Sequence, residues 1–177
     1  MTLMNPFKIL CCPVATLLGV TILSFLALTA AFASEAFLGL EPCIMCIYQR
    51  WPYALVILLG IIGLFGRKVK SLPQVMLGLS GIAFLVNSGL AFYHTGIERK
   101  WWESAVEGCT VPNFGEAEPQ SILENIMSAP TASCTEIPWQ DPLIGLSMAN
   151  YNVILCFGLF VICMISVFLS SKKRRAC

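Results

Sequence analysis

The sequence predicts an all-α membrane protein, a bundle of four transmembrane helices with both termini cytoplasmic and two loops on the opposite, outer side. Three observations lead there. Of the 177 residues, 57% are hydrophobic and only 12% charged, and mean hydropathy is +0.78, well outside the range of soluble globular chains. The apolar residues are gathered in four stretches, 13–33, 46–65, 73–94 and 151–170, each able to cross a ~30 Å hydrocarbon core as a helix of ~20 residues. The third observation is the placement of charge. Of eleven Lys and Arg residues, Lys8, Arg67, Lys68, Lys70, Lys172, Lys173, Arg174 and Arg175 flank the spans on one side, and all ten acidic residues fall in the two loops on the other. The basic side is cytoplasmic by the positive-inside rule.

The first span follows Lys8 and ends near "AFASEA", residues 31–36, which has the form of a signal-peptide cleavage site. Its apolar run exceeds a usual signal core, and its removal would free the next loop from its upstream tether, so it is expected to remain as a span. A short outer loop, 34–45, leads to the second span, which opens just after Pro42, a residue suited to a helix start. The tight basic turn "GRKVKSLP" joins the second span to the third. The third ends at His94, the only histidine. The long outer loop, 95–150, carries Gly, Pro, Asn and acids, with a possible short helix at "SILENIMSA" (121–129). After it, "IPWQDPLIGLSMA" is expected along the bilayer surface, with Trp101 and Trp102 at headgroup level. The chain forms one domain, 1–177, without internal repeats or low-complexity tracts.

Nine cysteines sort by compartment. Cys11, Cys12 and Cys177 lie near the cytoplasmic face, where thiols are kept reduced, and Cys156 and Cys163 sit in the fourth span, where Cys behaves as a small hydrophobe. Cys43, Cys46, Cys109 and Cys134 remain, two in each outer loop, and an even number there implies disulfides. A Cys109–Cys134 bond would enclose 24 residues and could be a structural staple contributing roughly 3 to 4 kcal/mol. Closing the small ring between Cys43 and Cys46 would stabilise little. Redox exchange is the usual task of such a pair, and the loop cysteines have the wrong spacing for a zinc site, so no metal is expected. A helix N-terminus also favours the reactive thiolate.

Arg50 follows Cys46 by four residues and Cys43 by seven, which puts all three on one helical face. It is either an interfacial anchor or a partner for a thiolate or a bound electronegative ligand, and the neighbouring cysteines favour the second. A dithiol must pass two electrons onward. The chain has no haem-attachment motif, iron–sulfur spacing or nucleotide loop, which leaves a lipid-soluble acceptor such as a quinone. Arg50 or His94 could donate to its carbonyl oxygen. Gln49 and Asn87 are further polar candidates, for which interhelical hydrogen bonding is an equal explanation.

The motifs "PCIMCIYQRWPY", "YHTGIE", "GCT", "SCTEIPW" and "GLSMANYN" together resemble the bacterial disulfide bond formation protein B (DsbB) family, over most of the chain. The resemblance implies a quinone-dependent thiol oxidase of the bacterial inner membrane, its active site on the periplasmic side. Its partners would be a periplasmic DsbA-like thioredoxin-fold protein, the respiratory quinone pool (ubiquinone or menaquinone) and membrane lipid, with no nucleic acid. Carried over by position, Cys109 would form the mixed disulfide with the partner, and Cys134 would be its loop mate. Cys43 would exchange with the loop pair through a transient Cys43–Cys134 bond, Cys46 would be the thiolate beside the quinone, and Arg50 and His94 would bind the quinone. The other five cysteines stand outside this set. Two rival readings are a vitamin-K-epoxide-reductase-like protein and a non-enzymatic tetraspan scaffold. The first places its loop cysteines upstream of the active pair, whereas here they follow it; the second leaves Arg50 beside Cys46 unexplained.

Overall fold

A computed structural model of the chain describes residues 10–69, 71–106, 109 and 132–172. Four helices make up the architecture: α1 (Pro13–Leu38), α2 (Ile44–Phe65), α3 (Leu72–Glu98) and α4 (Met148–Lys172). Each is long and apolar enough to span a membrane, and each expected span lies within one of them. Among the described residues the only β pairing is an isolated bridge between Gln140 and Ser147.

The helices run past the apolar stretches at the end that carries Cys43 and Cys46. There α1 continues to Leu38, α3 to Glu98, and α4 starts at Met148. Hydropathy marks where lipid contact stops, while backbone hydrogen bonding continues until a cap or breaker ends it. Pro13 starts α1, and Gly39 ends it at φ +64°, the left-handed conformation that glycine adopts without a Cβ penalty. The Arg67–Lys68 turn lies between the far end of α2 and the start of α3, a bundle length away from the cysteines.

Around the bundle, α3 packs chiefly on α4 and α2, and α2 on α1. The core holds Leu17, Val56, Leu77, Phe84, Cys156 and Cys163, all fully buried. Gly60 faces Thr21, and Gly63 faces Leu17, small residues that let α1 and α2 approach closely. Large side chains such as Phe25, Phe65, Phe157 and Phe168 point outward, as lipid-facing residues do in a medium as apolar as they are.

Cys156 and Cys163 fit their expected role as small core residues. Cys12 departs from expectation: it is disulfide-bonded, not a reduced thiol. The helix expected at 121–129 lies outside the described residues. The stretch before α4, expected along the bilayer surface, forms a turn in which Asp141 accepts hydrogen bonds from the Leu143 and Ile144 amides, leaving Leu143 91% exposed. Trp101 and Trp102 cluster with Phe92 and Tyr93 at the end of α3.

Candidate active site

Cys43 caps the N-terminus of α2, in extended conformation with φ −70° and ψ 165°. Its Sγ accepts from the Cys46 backbone amide at 3.4 Å, and the two sulfurs lie 3.1 Å apart as free thiols. Ring atom Nε2 of His94 approaches the same sulfur at 3.4 Å. The hydrogen bond with Cys46 pulls the Cys43 thiol down to about 4, helped by the one with His94 and opposed by burial. A thiolate here is stabilised by convergent donors and by the end of the helix.

His94 reaches Cys43 because α3 continues beyond the apolar stretch and carries the ring to the depth of the α2 N-terminus. The other ring nitrogen, Nδ1, lies 3.0 Å from the Gln49 side-chain nitrogen, and Gln49 Oε1 accepts from Asn152 Nδ2 at 2.6 Å. Glu98, one turn beyond His94, brings Oε1 to 3.8 Å from Nε2, and Ser147 donates to its Oε2 at 2.5 Å.

The loop pair, Cys109 and Cys134, forms a disulfide that packs on Cys43, Met45 and Ile97. Cys134 Sγ, Cys43 Sγ and a His94 ring nitrogen lie within 4.8 Å of one another. That grouping has the makings of a metal triad, but a sulfur committed to a disulfide is not a thiolate ligand. It suits thiol–disulfide exchange, in which a thiolate attacks a neighbouring disulfide sulfur. Cys109, the residue that the resemblance would expose to a protein partner's thiolate, is 0% exposed, since an apolar disulfide gains by packing on the apolar helix ends.

A cavity of about 630 Å³ adjoins the pair, lined by Ala27, Leu28 and Ala31 of α1, Leu155 of α4, and the polar groups of Cys46, Gln49, Arg50 and His94. Arg50 does not point its charge at a sulfur. Its Nη1 donates to Glu35 Oε2 at 2.9 Å, and its guanidinium lies 4.8 Å from the centroid of the Phe32 ring.

All six residues expected at the site therefore meet at one end of the bundle. Sequence reasoning did not single out Glu35, Glu98, Tyr53, Ser147 or Asn152. A carboxylate one turn after His94 and an asparagine just inside an apolar span were the available signals, because burying polar groups in lipid is costly without partners.

A thiol pair against a loop disulfide at the end of a four-span bundle defines a membrane thiol–disulfide oxidoreductase. The chain belongs to the disulfide bond formation protein DsbB family, whose profile matches residues 14–166. A relative from Pasteurella multocida named disulfide bond formation protein B is 28% identical over 160 residues, covering 85% of this chain and 86% of that one. Those of the same name from Shewanella loihica and Haemophilus ducreyi are each 30% identical, over 127 residues (71% of each chain) and over 139 residues (77% of this chain, 75% of that one). The protein is thus a multi-pass membrane protein of disulfide bond formation.

Proposed function

We propose that the protein is a thiol:quinone oxidoreductase of the bacterial inner membrane, its cysteine end facing the periplasm and both termini in the cytoplasm. It would reoxidise a DsbA-like thioredoxin-fold dithiol protein and deliver two electrons to ubiquinone or menaquinone. One observation carries this reading: the Cys43–Cys46 pair stands between the Cys134 sulfur, within 4.8 Å of Cys43, and an apolar cavity of about 630 Å³ that Cys46 itself lines.

The cavity fits a quinone by chemistry. Its α1 wall is mostly aliphatic, with Ala27, Leu28, Ala30 and Ala31, as a ring and isoprenoid tail require, and its polar groups, among them Arg50, Gln49, His94, Tyr53 and Asn152, include donors suited to carbonyl oxygens. A bound quinone would supply the sink for two electrons and two protons, leaving as the quinol.

The protein's own residues carry the electrons there by exchange. A partner thiolate attacks Cys109, the Cys109–Cys134 bond breaks, and Cys134 leaves as a thiolate. Cys134 then attacks Cys43 in an oxidised Cys43–Cys46 pair, releasing Cys46 as a thiolate facing the cavity. The partner's second thiolate displaces Cys109, which closes the partner's disulfide. Cys109 in turn attacks Cys134, restoring the loop bond and freeing Cys43. The balance is one dithiol oxidised in the partner and one disulfide reduced at Cys43–Cys46. That end state has the loop pair bonded and the helix pair as thiols, the pairing of the sulfurs described above. Because Cys109 is buried, the first step requires the loop disulfide to lift from Met45 and Ile97.

The test measures quinone reduction by detergent-solubilised protein supplied with either a small dithiol or a reduced thioredoxin-fold protein. The wild type should turn over with both, and a Cys109→Ser, Cys134→Ser double variant with the small dithiol alone. Absence of quinone reduction by the wild type would refute the acceptor, and normal turnover of the protein dithiol by the double variant would reduce the loop bond to a staple.

A further inference from the structure

His94 is the only histidine, is 3% exposed, and has both ring nitrogens engaged, Nδ1 with Gln49 and Nε2 with Cys43. A neutral imidazole carries one N–H. Its position decides whether His94 donates a hydrogen bond to the Cys43 sulfur or can take a proton from it.

The answer lies further along the same chain of hydrogen bonds. The Tyr53 hydroxyl donates to Asn152 Oδ1 at 2.5 Å, and the Cys156 thiol donates to the same oxygen at 3.3 Å. With its oxygen so occupied, Asn152 turns its nitrogen to Gln49 Oε1, and Gln49 turns its own nitrogen to His94 Nδ1. An amide nitrogen only donates. Nδ1 must therefore present its lone pair, and the ring proton sits on Nε2.

Reversing both amides would reverse every bond, and both ends of the chain oppose it. The Tyr53 hydroxyl would be left with the Cys156 sulfur, at 3.1 Å, as its acceptor in place of an amide oxygen. At the other end an Nε2 lone pair would face the Cys43 thiolate and Glu98 Oε1, acceptors both. Glu98 does not compete for the Nε2 proton, since Oε1 lies 3.8 Å away and Oε2 is bonded by Ser147.

We propose that Gln49 and Asn152 are positioning residues that hold His94 as its Nε2–H tautomer, so that the histidine serves Cys43 as a fixed hydrogen-bond donor and not as a base. The orientation reaches His94 from α4, through two amides and without any charge. This inference rests on the reading of Cys43 as an exchanging thiol, yet its test needs neither quinone nor protein partner.

A single histidine makes the test direct. The full chain, reduced and in detergent, is labelled with ¹⁵N-histidine, and the two ring nitrogens are assigned through their couplings to the ring carbon-bound protons. The wild type should show a protonated Nε2 and an unprotonated Nδ1. Gln49→Leu and Asn152→Leu should each admit the second tautomer and slow alkylation of Cys43 by about threefold near pH 4, where thiol and thiolate coexist, as a donor to the charged sulfur is withdrawn part of the time. Asn152 hydrogen-bonds to Gln49, Tyr53 and Cys156 and not to His94 or Cys43, so an effect there separates positioning from direct hydrogen bonding. An Nδ1–H tautomer in the wild type overturns the proposal even if neither variant folds. Unchanged spectra in both folded variants overturn it as well. Intact tautomer results alongside failed quinone reduction would instead count against the proposed function alone.

Discussion

Arg50 Nη1 sits 2.9 Å from Glu35 Oε2, an ion pair that ties α2 to the end of α1 beside the cavity. The charge that adjoins the thiol pair along the helix is therefore already matched by a carboxylate from another helix. Both side chains are partly exposed, at 18% and 41%, so solvent screens the pair and its contribution to stability is small. Its consequence lies in what Arg50 can still offer a ligand.

Arg50→Ala should raise the KM for quinone roughly tenfold or more, the equivalent of a charge-assisted hydrogen bond of ~1.5 to 3 kcal/mol, while leaving the KM for the protein dithiol unchanged. Arg50→Lys should fall between, since lysine keeps the charge and loses the planar fork. Glu35→Gln, which frees the guanidinium, should lower the KM for quinone. Steady-state kinetics with varied quinone checks all three, and unchanged values would return Arg50 to the part of an interfacial anchor.

The low value of the Cys43 thiol, about 4, predicts a distinctive pH profile. In the reduced protein, alkylation of Cys43 by a neutral reagent should stay nearly constant between about pH 5.5 and 8, where an ordinary thiol with a pKa near 8.5 would gain about tenfold per unit. The sign for stability follows from the same shift. With the folded value below the unfolded one, stabilisation by the thiolate is complete above about pH 8.5 to 9 and declines as pH falls toward about 4. His94→Ala removes a donor and should move the alkylation profile to higher pH. Mass spectrometry of the modified peptide over a pH series reads this directly.

Gly60 supplies a prediction about the scaffold. A Cβ there would run into the Thr21 side chain, whose Cβ and Cγ2 would each lie 2.9 Å away, and α1 would have to shift. Gly60→Ala should destabilise by about 1 to 3 kcal/mol. Gly78→Ala meets nothing within 4 Å and should be neutral or stabilising by up to ~1 kcal/mol. Thermal unfolding in one detergent compares the two, and equal midpoints would mean that α1 and α2 do not depend on this contact.

The sequence by itself determined the four spans and the sorting of the outer-loop cysteines. Both are local properties. A span is composition measured against the thickness of hydrocarbon, and Cys43, Cys46 and Arg50 share a face because a helix repeats every 3.6 residues. Only the tertiary structure decided what those side chains meet. Cys43 and His94 are 51 residues apart in sequence, and Gln49 and Asn152 are 103 apart; each contact exists only once α2, α3 and α4 have packed. Helix periodicity says which residues share a stripe but not which neighbour the stripe faces. In α1 and α4, apolar on nearly every side, even the stripe is unmarked. So Glu35 could not be paired with Arg50, nor Asn152 with Gln49, from the order of residues alone. The burial of Cys109 was hidden for the same reason: a loop's polarity describes its residues one by one, and the face that covers its disulfide is built by Met45 and Ile97 from two other helices.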